Sequence, residues 1–262
     1  MLRTIAVSNE KGGVAKTTTT LSLGAALAEL GKRVLLIDLD AQANLTLALG
    51  FEPGEAQNTS SSIMLDNMPL LSACRKTDVD NLDLIPSSSQ IETSEQFLPV
   101  RTNYTTILQR AIRGANGLSY DYIILDCPPA LGAITRNALA AADLLLIPTQ
   151  AEYFSAYALR NMMSLIRRTR EDDNPGLAYR ILVTMLDRRN RTHRNIHEQL
   201  RATFSEGVFN TVIEIDTKLR ESPIAGMPIT QYKAGARGSI QYRILAQELM
   251  EYAKETENKQ AA

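Results

Sequence analysis

Six runs rich in Val, Ile and Leu punctuate the chain: RTIAVS (residues 3–8), RVLLIDLD (33–40), YDYIILD (120–126), DLLLIPT (143–149), YRILVTML (179–186) and FNTVIEI (209–215). A strand with one wet face alternates apolar and polar residues. These runs are almost continuously apolar, so both faces of their sheet must be covered. Helical spacing fills the gaps. Leu23, Ala26, Leu27 and Leu30 share one helix face, and Gly31 is placed to stop that helix. Further helices are expected over residues 101–113, 153–172 and 238–255, and a polar loop over 52–62. Strands alternating with helices specify an α/β class: a mostly parallel, twisted sheet with helices on both faces. No Pro/Ser-rich linker or internal repeat divides the 262 residues. A single domain over 1–262 is therefore expected, with a disordered tail from about 256 to 262. Ligands of such sheets sit at the carboxyl ends of the strands.

Between the first run and the first helix stands NEKGGVAKTT (9–18). A Gly-rich turn from strand to helix is the context of a phosphate-binding loop, because its backbone N–H groups and the helix N-terminus converge on one anion. The usual pattern G-x-x-x-x-G-K-[ST] is broken twice, by Glu10 and by Ala15. Gly12 and Gly13 let the main chain approach phosphate oxygens, and Val14, Ala15 and Thr18 complete the loop. Lys16 can reach the β- and γ-phosphates, and the Thr17 hydroxyl can ligate Mg²⁺. A left-handed backbone at Ala15 would cost about 1 kcal/mol, little beside a multidentate phosphate site. The fold expected is then that of a single-domain P-loop NTPase.

Lys11 adds a second charge near the start of the loop. KGGVAKTT resembles the deviant Walker A motif of the ParA/MinD family of ATPases, with the ParA/Soj-type partition ATPases nearest. In that family the first lysine reaches across a dimer interface to the partner's nucleotide. The resemblance spans nearly the whole chain. DLDAQANLT (38–46) is similar to the family switch D-x-D-P-Q-G-N, with Ala41 and Ala43 replacing Pro and Gly. YDYIILDCPPALGAITRNALAAAD (120–143) is similar to the Walker B strand and the segment after it. IPTQAEYFSAYAL (147–159) and GMPITQYKAGARGSIQYRILAQEL (226–249) also resemble partition ATPases.

The resemblance implies ATP and Mg²⁺ as cofactors, with Lys11, Lys16 and Asp40 as the catalytic set. Asp126 would hold Mg²⁺ through water alongside Thr17. Asp40 would orient the attacking water. Asp38 would serve either the Mg²⁺ shell, an alternative also open to Asp40, or the switch hydrogen bonds. Cys127, with no paired base, reads as a core residue. His193 and His197 are spaced i, i+4, but no third ligand accompanies them.

The net charge of −1 excludes a uniformly basic surface, so any nucleic-acid partner needs clustered bases. RRNRTHR (188–194) holds four Arg in seven residues, and residues 160–201 hold ten Arg against five acids. Lys218, Arg220, Lys233, Arg237 and Arg243 form a second group. By the resemblance, Arg189 and Lys218 match basic positions that bind DNA without sequence preference, with Arg188, Arg191, Arg220 and Arg237 as neighbours. The partners implied are a second copy of the chain joined through ATP, non-specific duplex DNA, and a ParB-like or cargo adaptor protein that stimulates hydrolysis. Cargo could be a plasmid, a chromosome or a protein assembly. Two unpaired cysteines, no signal sequence and no spanning apolar run suggest a cytoplasmic protein with no membrane partner, and the resemblance implies association with the nucleoid. A MinD-like membrane switch would need an apolar and basic C-terminal helix, whereas AQELMEYAKETENKQAA is acidic. A metal-cluster reductase would need cysteines at suitable switch positions. A non-catalytic DNA-binding module would not need the intact lysine and aspartate set. Lys16→Ala is expected to lose ATP binding, measured by titration with a fluorescent nucleotide. Asp40→Ala is expected to bind ATP and accumulate as a dimer without turnover, measured by sedimentation and phosphate release.

Overall fold

The computed structural model describes residues 3–53, 58–115, 120–153 and 155–261. The six expected runs are strands. The first two elements are β1 (Thr4–Val7) and helix α1 (Lys16–Glu29), which Gly31, at φ 75°, ends as anticipated. Then come β2 (Val34–Asp38), α2 (Asn44–Ala48) and α3 (Ser60–Asp66). The polar loop expected over 52–62 lies partly outside the described residues, and its last three residues open α3 instead. There Thr59 and Ser62 form a capping box. β3 (Arg75–Lys76), β4 (Leu82–Ile85) and α4 (Ile91–Phe97) follow. The helix expected over 101–113 is shorter: Asn103 adopts φ 54°, a 3₁₀ turn spans Tyr104–Thr106, and α5 covers Ile107–Gly114. The chain continues through β5 (Tyr122–Asp126), α6 (Ala133–Ala141), β6 (Leu144–Gln150), α7 (Ser155–Asp172), β7 (Ala178–Leu186) and α8 (Arg191–Phe204). It ends with β8 (Val208–Glu214), α9 (Lys218–Glu221), α10 (Ile229–Tyr232) and α11 (Arg237–Ala261). The disorder expected from residue 256 is not what the backbone adopts. α11 runs through that stretch to Ala261, because YAKETENKQA contains no Gly or Pro, and the Thr256 hydroxyl donates to Tyr252 O at 2.9 Å. Residue 262 lies outside the described residues.

The strands form one sheet in the order β3-β4-β2-β5-β1-β6-β7-β8, parallel except for β3 against β4. β3 and β4 escape the sequence pattern because LDLI is only four residues long and hides Asp83. Asp83 is kept in the sheet by Lys76 Nζ at 2.9 Å and by the Tyr120 hydroxyl at 2.5 Å. Two cores follow the period of two along each strand. Ile5, Val7, Leu36, Ile124 and Leu146 face α1 and α11. Ala6, Leu35, Ile37, Ile123, Leu125 and Ile147 face α5, α6 and α7. α1 lies so close to the sheet that a Cβ on Gly24 would sit 2.7 Å from the Leu36 side chain.

β1 is flanked by β5 and β6, while the chain first crosses from it to β2. The carboxyl end of β1 thus opens into the crevice where strand order reverses, and the phosphate loop begins there. Among the loop's described residues, φ is positive at Gly13 (72°) and at Ala15 (68°). Ala43, which replaces the switch glycine, sits at φ 51°. Both alanines occupy the residue before a helix, α1 and α2 respectively, in the left-handed region. That region costs an L-residue about 1–2 kcal/mol. Ala15 is half-exposed and Ala43 is buried. Ala15→Gly is therefore expected to stabilise the protein by about 0.5–1 kcal/mol in urea unfolding. Ala43→Gly, which also loses a buried methyl, is expected to change stability little.

Candidate nucleotide site

The loop is strapped to the neighbouring strand ends. Asn9 Nδ2 donates to Pro148 O at 2.8 Å, and Asn9 Oδ1 accepts from Lys11 N at 3.0 Å. Gln150 Nε2 donates to Gly13 O at 3.2 Å, and Thr184 Oγ1 donates to Val14 O at 3.0 Å. Glu10, at the position of the missing glycine, accepts from Asn161 Nδ2 on α7 at 2.7 Å. Left-handed backbone is needed at 13 and 15 but not at 10, so a glutamate fits there without strain. These supports, from β6, β7 and α7, lie far away in the chain. IPTQAEY carries Gln150, and no local signal marks it as a strap.

The two lysines of the loop behave differently. Lys16 opens α1 and is buried. Its Nζ curls over the loop to donate to Lys11 O at 3.2 Å. Burial lowers its pKa, opposed by the nearby charges of Asp126 and Asp40. Lys11 Nζ turns away from the loop to the rim. There it donates to Gln150 Oε1 at 2.9 Å and pairs with Glu152 at 2.5 Å.

Beneath the loop stand three carboxylates. The register aligns Val7 with Asp126 and Asp126 with Asp38, so three strand ends meet at one level. β2 ends at Asp38. Asp40, expected at the strand end, lies two residues beyond it, in the turn, where its Oδ1 accepts from Gln42 N at 3.0 Å. Asp38 is fully buried and accepts from Thr46 N (2.9 Å), Thr46 Oγ1 (2.7 Å) and Asp40 N (3.1 Å). Its oxygens are thus committed to the switch segment. Thr46 Oγ1 accepts in turn from Ser87 N, which ties the switch to the end of β4. Asp126 is buried, and its Oδ1 accepts from Thr20 Oγ1 at 3.2 Å. Its Oδ2 has no hydrogen-bond partner, and the Thr17 hydroxyl is beside the carboxylate. Burial, with the Asp38 charge opposite, pushes the Asp126 carboxyl well above the usual range, and burial raises Asp38 as well. A buried carboxylate with an orphaned oxygen and an adjacent hydroxyl fits a hard divalent cation, which takes oxygen ligands and relieves the repulsion. Cys127 is buried, and burial raises its thiol pKa, consistent with a packing role. His193 Nδ1 accepts from Asp187 N at 3.2 Å and so braces the start of α8.

The basic positions divide between two ends of the sheet. β7 is nine residues long, about 30 Å of strand. Arg180, near its start, stacks over the Tyr252 ring at 4.1 Å. Arg188, Arg189, Arg191, Lys218, Arg220 and Arg237 collect beyond the carboxyl ends of β7 and β8, on the side of the sheet where the loop opens. The Arg excess over 160–201 is therefore not one patch: Arg180 and Arg201 lie near the starts of β7 and β8, and Arg188, Arg189 and Arg191 beyond the end of β7.

The AAA domain family matches residues 2–179. Over 250 residues the chain is 39% identical to the sporulation initiation inhibitor protein Soj of Bacillus subtilis, covering 95% of this chain and 98% of that protein. Over 263 residues it is 36% identical to the chromosome partitioning protein ParA of Caulobacter vibrioides, covering 99% and 98%. The chain belongs to the ParA/Soj family of ATPases. A solved structure of cobyrinic acid a,c-diamide synthase from Mycobacterium smegmatis, with bound ADP and magnesium, matches with a TM-score of 0.84 and 32% identity over 97% of this chain and 96% of that one. Family membership places the deviant loop, the switch and the Walker B strand in one P-loop fold. Among the described residues no helix is long and apolar enough to cross a membrane.

The carboxylate pair has a measurable consequence. A carboxyl whose folded pKa is raised favours the folded state below its unfolded pKa, and that advantage is lost as pH rises through the folded value, about 8 for Asp126. Asp126→Asn is therefore expected to raise the melting temperature of the nucleotide-free protein at pH 8 by about 2–4 °C. The gain should shrink towards pH 5, while Mg²⁺-dependent turnover is lost. Melts at the two pH values with a parallel phosphate-release assay check both halves.

Proposed function

We propose that the protein is an ATP-dependent, dimerising ATPase that binds duplex DNA without sequence preference and moves or positions cargo over the nucleoid. One observation carries the reading. Lys16 serves its own loop, whereas Lys11 is turned out to the rim, where it can reach a second subunit. Two copies closing face to face over two triphosphates would each lend an ammonium group to the other's site. Charge developing on the transferred phosphoryl group then meets Lys16 from one chain and Lys11 from its partner. To enter the partner's site, Lys11 must leave Glu152, so hydrolysis is coupled to assembly. Thr17 and Asp126 would hold Mg²⁺, which would neutralise phosphate charge during the transfer. Asp40, free of the bonds that commit Asp38, would orient the attacking water. Asp38 holds the switch through Thr46. The ADP and magnesium of the similar synthase structure support these ligands.

The basic end of the sheet doubles when two subunits join, so ATP-dependent dimerisation makes DNA binding ATP-dependent. A relative named for chromosome partitioning supports a cargo linked to DNA, and a ParB-like or adaptor partner would trigger hydrolysis. Lys11→Ala is expected to bind ATP yet stay monomeric in sedimentation with Mg²⁺-ATP. Its turnover should fall by roughly a hundredfold or more, and its ATP-dependent retention on duplex DNA should be lost. A Lys11→Ala protein that dimerises on ATP and hydrolyses at the wild-type rate would overturn the reading.

A further inference from the structure

The basic end of the molecule carries its own counter-ions. Glu214, the last residue of β8, has a side chain only 15% exposed and receives two guanidinium groups. Arg188 Nε donates to Oε1 at 2.6 Å, and Arg237 NH1 donates to Oε2 at 2.9 Å. Asp187 takes Arg189 through both oxygens, Nε at 3.1 Å and NH2 at 3.2 Å. Glu221 accepts from Lys218 Nζ at 2.6 Å and from the Tyr232 hydroxyl at 2.9 Å. Four of the six side chains assigned to DNA are thus already bonded to carboxylates of their own chain. Among the described residues, only Arg191 and Arg220 of that set have no such pair.

We propose that these carboxylates, Glu214 above all, shield the basic surface and hold the DNA affinity of a single subunit low, so that stable binding needs the two patches of a dimer. This rests on the DNA reading given above and adds the device that regulates it. A phosphate approaching Arg188 or Arg237 meets a negative charge already in place. It must displace a carboxylate of the same charge, so each exchange yields little net attraction. Asp187 and Glu221 have more exposed side chains, at 27% and 38%. Glu214 is the least exposed of the three and holds a guanidinium on each oxygen. Its carboxylate stays at the centre of the patch after the arginines have turned to the duplex. Weak patches gain most from being linked in pairs, since the second contact becomes intramolecular. A surface tuned in this way would release DNA when the dimer separates.

The test uses the full chain with Mg²⁺-ATP and a non-specific fluorescent duplex, with anisotropy followed across a salt series. Glu214→Gln keeps the side-chain shape and removes the charge. It should bind the duplex roughly three- to tenfold more tightly, with a salt slope steeper by about one per subunit. Without ATP it should show duplex binding that the wild type lacks. Glu221→Gln, which leaves β8 intact, should shift affinity the same way by less. Glu92→Gln removes an exposed charge from α4 at the far edge of the sheet and should leave binding at the wild-type level. Thermal melts establish that each variant is folded. If Glu214→Gln and Glu221→Gln bind no more tightly than Glu92→Gln, while Arg188→Ala and Arg237→Ala weaken binding, the shield is refuted and the DNA surface stands. If the wild type and every variant fail to bind duplex in the presence of ATP, the DNA reading falls and takes the shield with it.

Discussion

Two carboxylates stand opposite each other where three parallel strands end, and the rest of the site depends on that pair. The register that aligns Val7, Asp126 and Asp38 puts like charges in the interior under the phosphate loop. Left alone, the arrangement is unfavourable, because neither burial nor mutual repulsion supports ionisation. The chain resolves half of the problem internally: Asp38 accepts three hydrogen bonds and becomes the anchor of the switch. The other half stays open. Asp126 keeps one oxygen without a partner, and a loop rich in N–H groups and ammonium charge sits above it. A divalent cation beside Asp126 would favour its ionised form and offset the repulsion from Asp38. The same strand ends carry the Asp126 carboxylate and, through Asp38 and Thr46, the switch segment.

The loop itself tolerates departures from the usual pattern because its demands are local. Only positions 13 and 15 need left-handed backbone, and Ala15 meets that need at a modest cost. Glu10 is free to be something other than glycine, and Asn161 occupies its carboxylate. The straps from Asn9, Gln150 and Thr184 hold the loop open in the required shape. That rigidity separates the tasks of the two lysines. Lys16 is locked into the subunit's own site, while Lys11 is parked by Gln150 and Glu152, residues near the end of β6. A lysine tied to a partly exposed glutamate is easily recruited elsewhere, because such pairs are worth little in water.

The same economy governs the basic end of the sheet. Its bases are collected beyond the ends of β7 and β8, but four of the six are balanced, Arg189 and Lys218 by neighbours in sequence and Arg188 and Arg237 by Glu214. Charge counted along the sequence therefore overstates the field that a distant partner meets. What matters is which acid folds back onto which base, and β8 decides that by placing Glu214 between Arg188 and Arg237.

The sequence by itself determined the class of fold. Continuous apolar runs cannot be solvated on either face, and their alternation with helical spacing leaves few alternatives to a covered parallel sheet. It also marked Lys16 and Thr17 through loop chemistry, and Lys11, Asp38, Asp40 and Asp126 through the resemblance of their motifs to the family's. β3 and β4 were hidden, since four residues carrying a buried Asp83 resemble a loop until Lys76 and Tyr120 satisfy that charge. The helix to Ala261 was hidden by a polar composition that suggests disorder. The strand order, the straps on the loop, the orphaned oxygen of Asp126, the outward turn of Lys11 and the pairing of the bases were decided only by tertiary structure. Apart from the local pairs Arg189–Asp187 and Lys218–Glu221, each depends on contacts between residues far apart in the chain, most of them more than a hundred positions distant at the loop, and no local periodicity records which distant partner a side chain will meet.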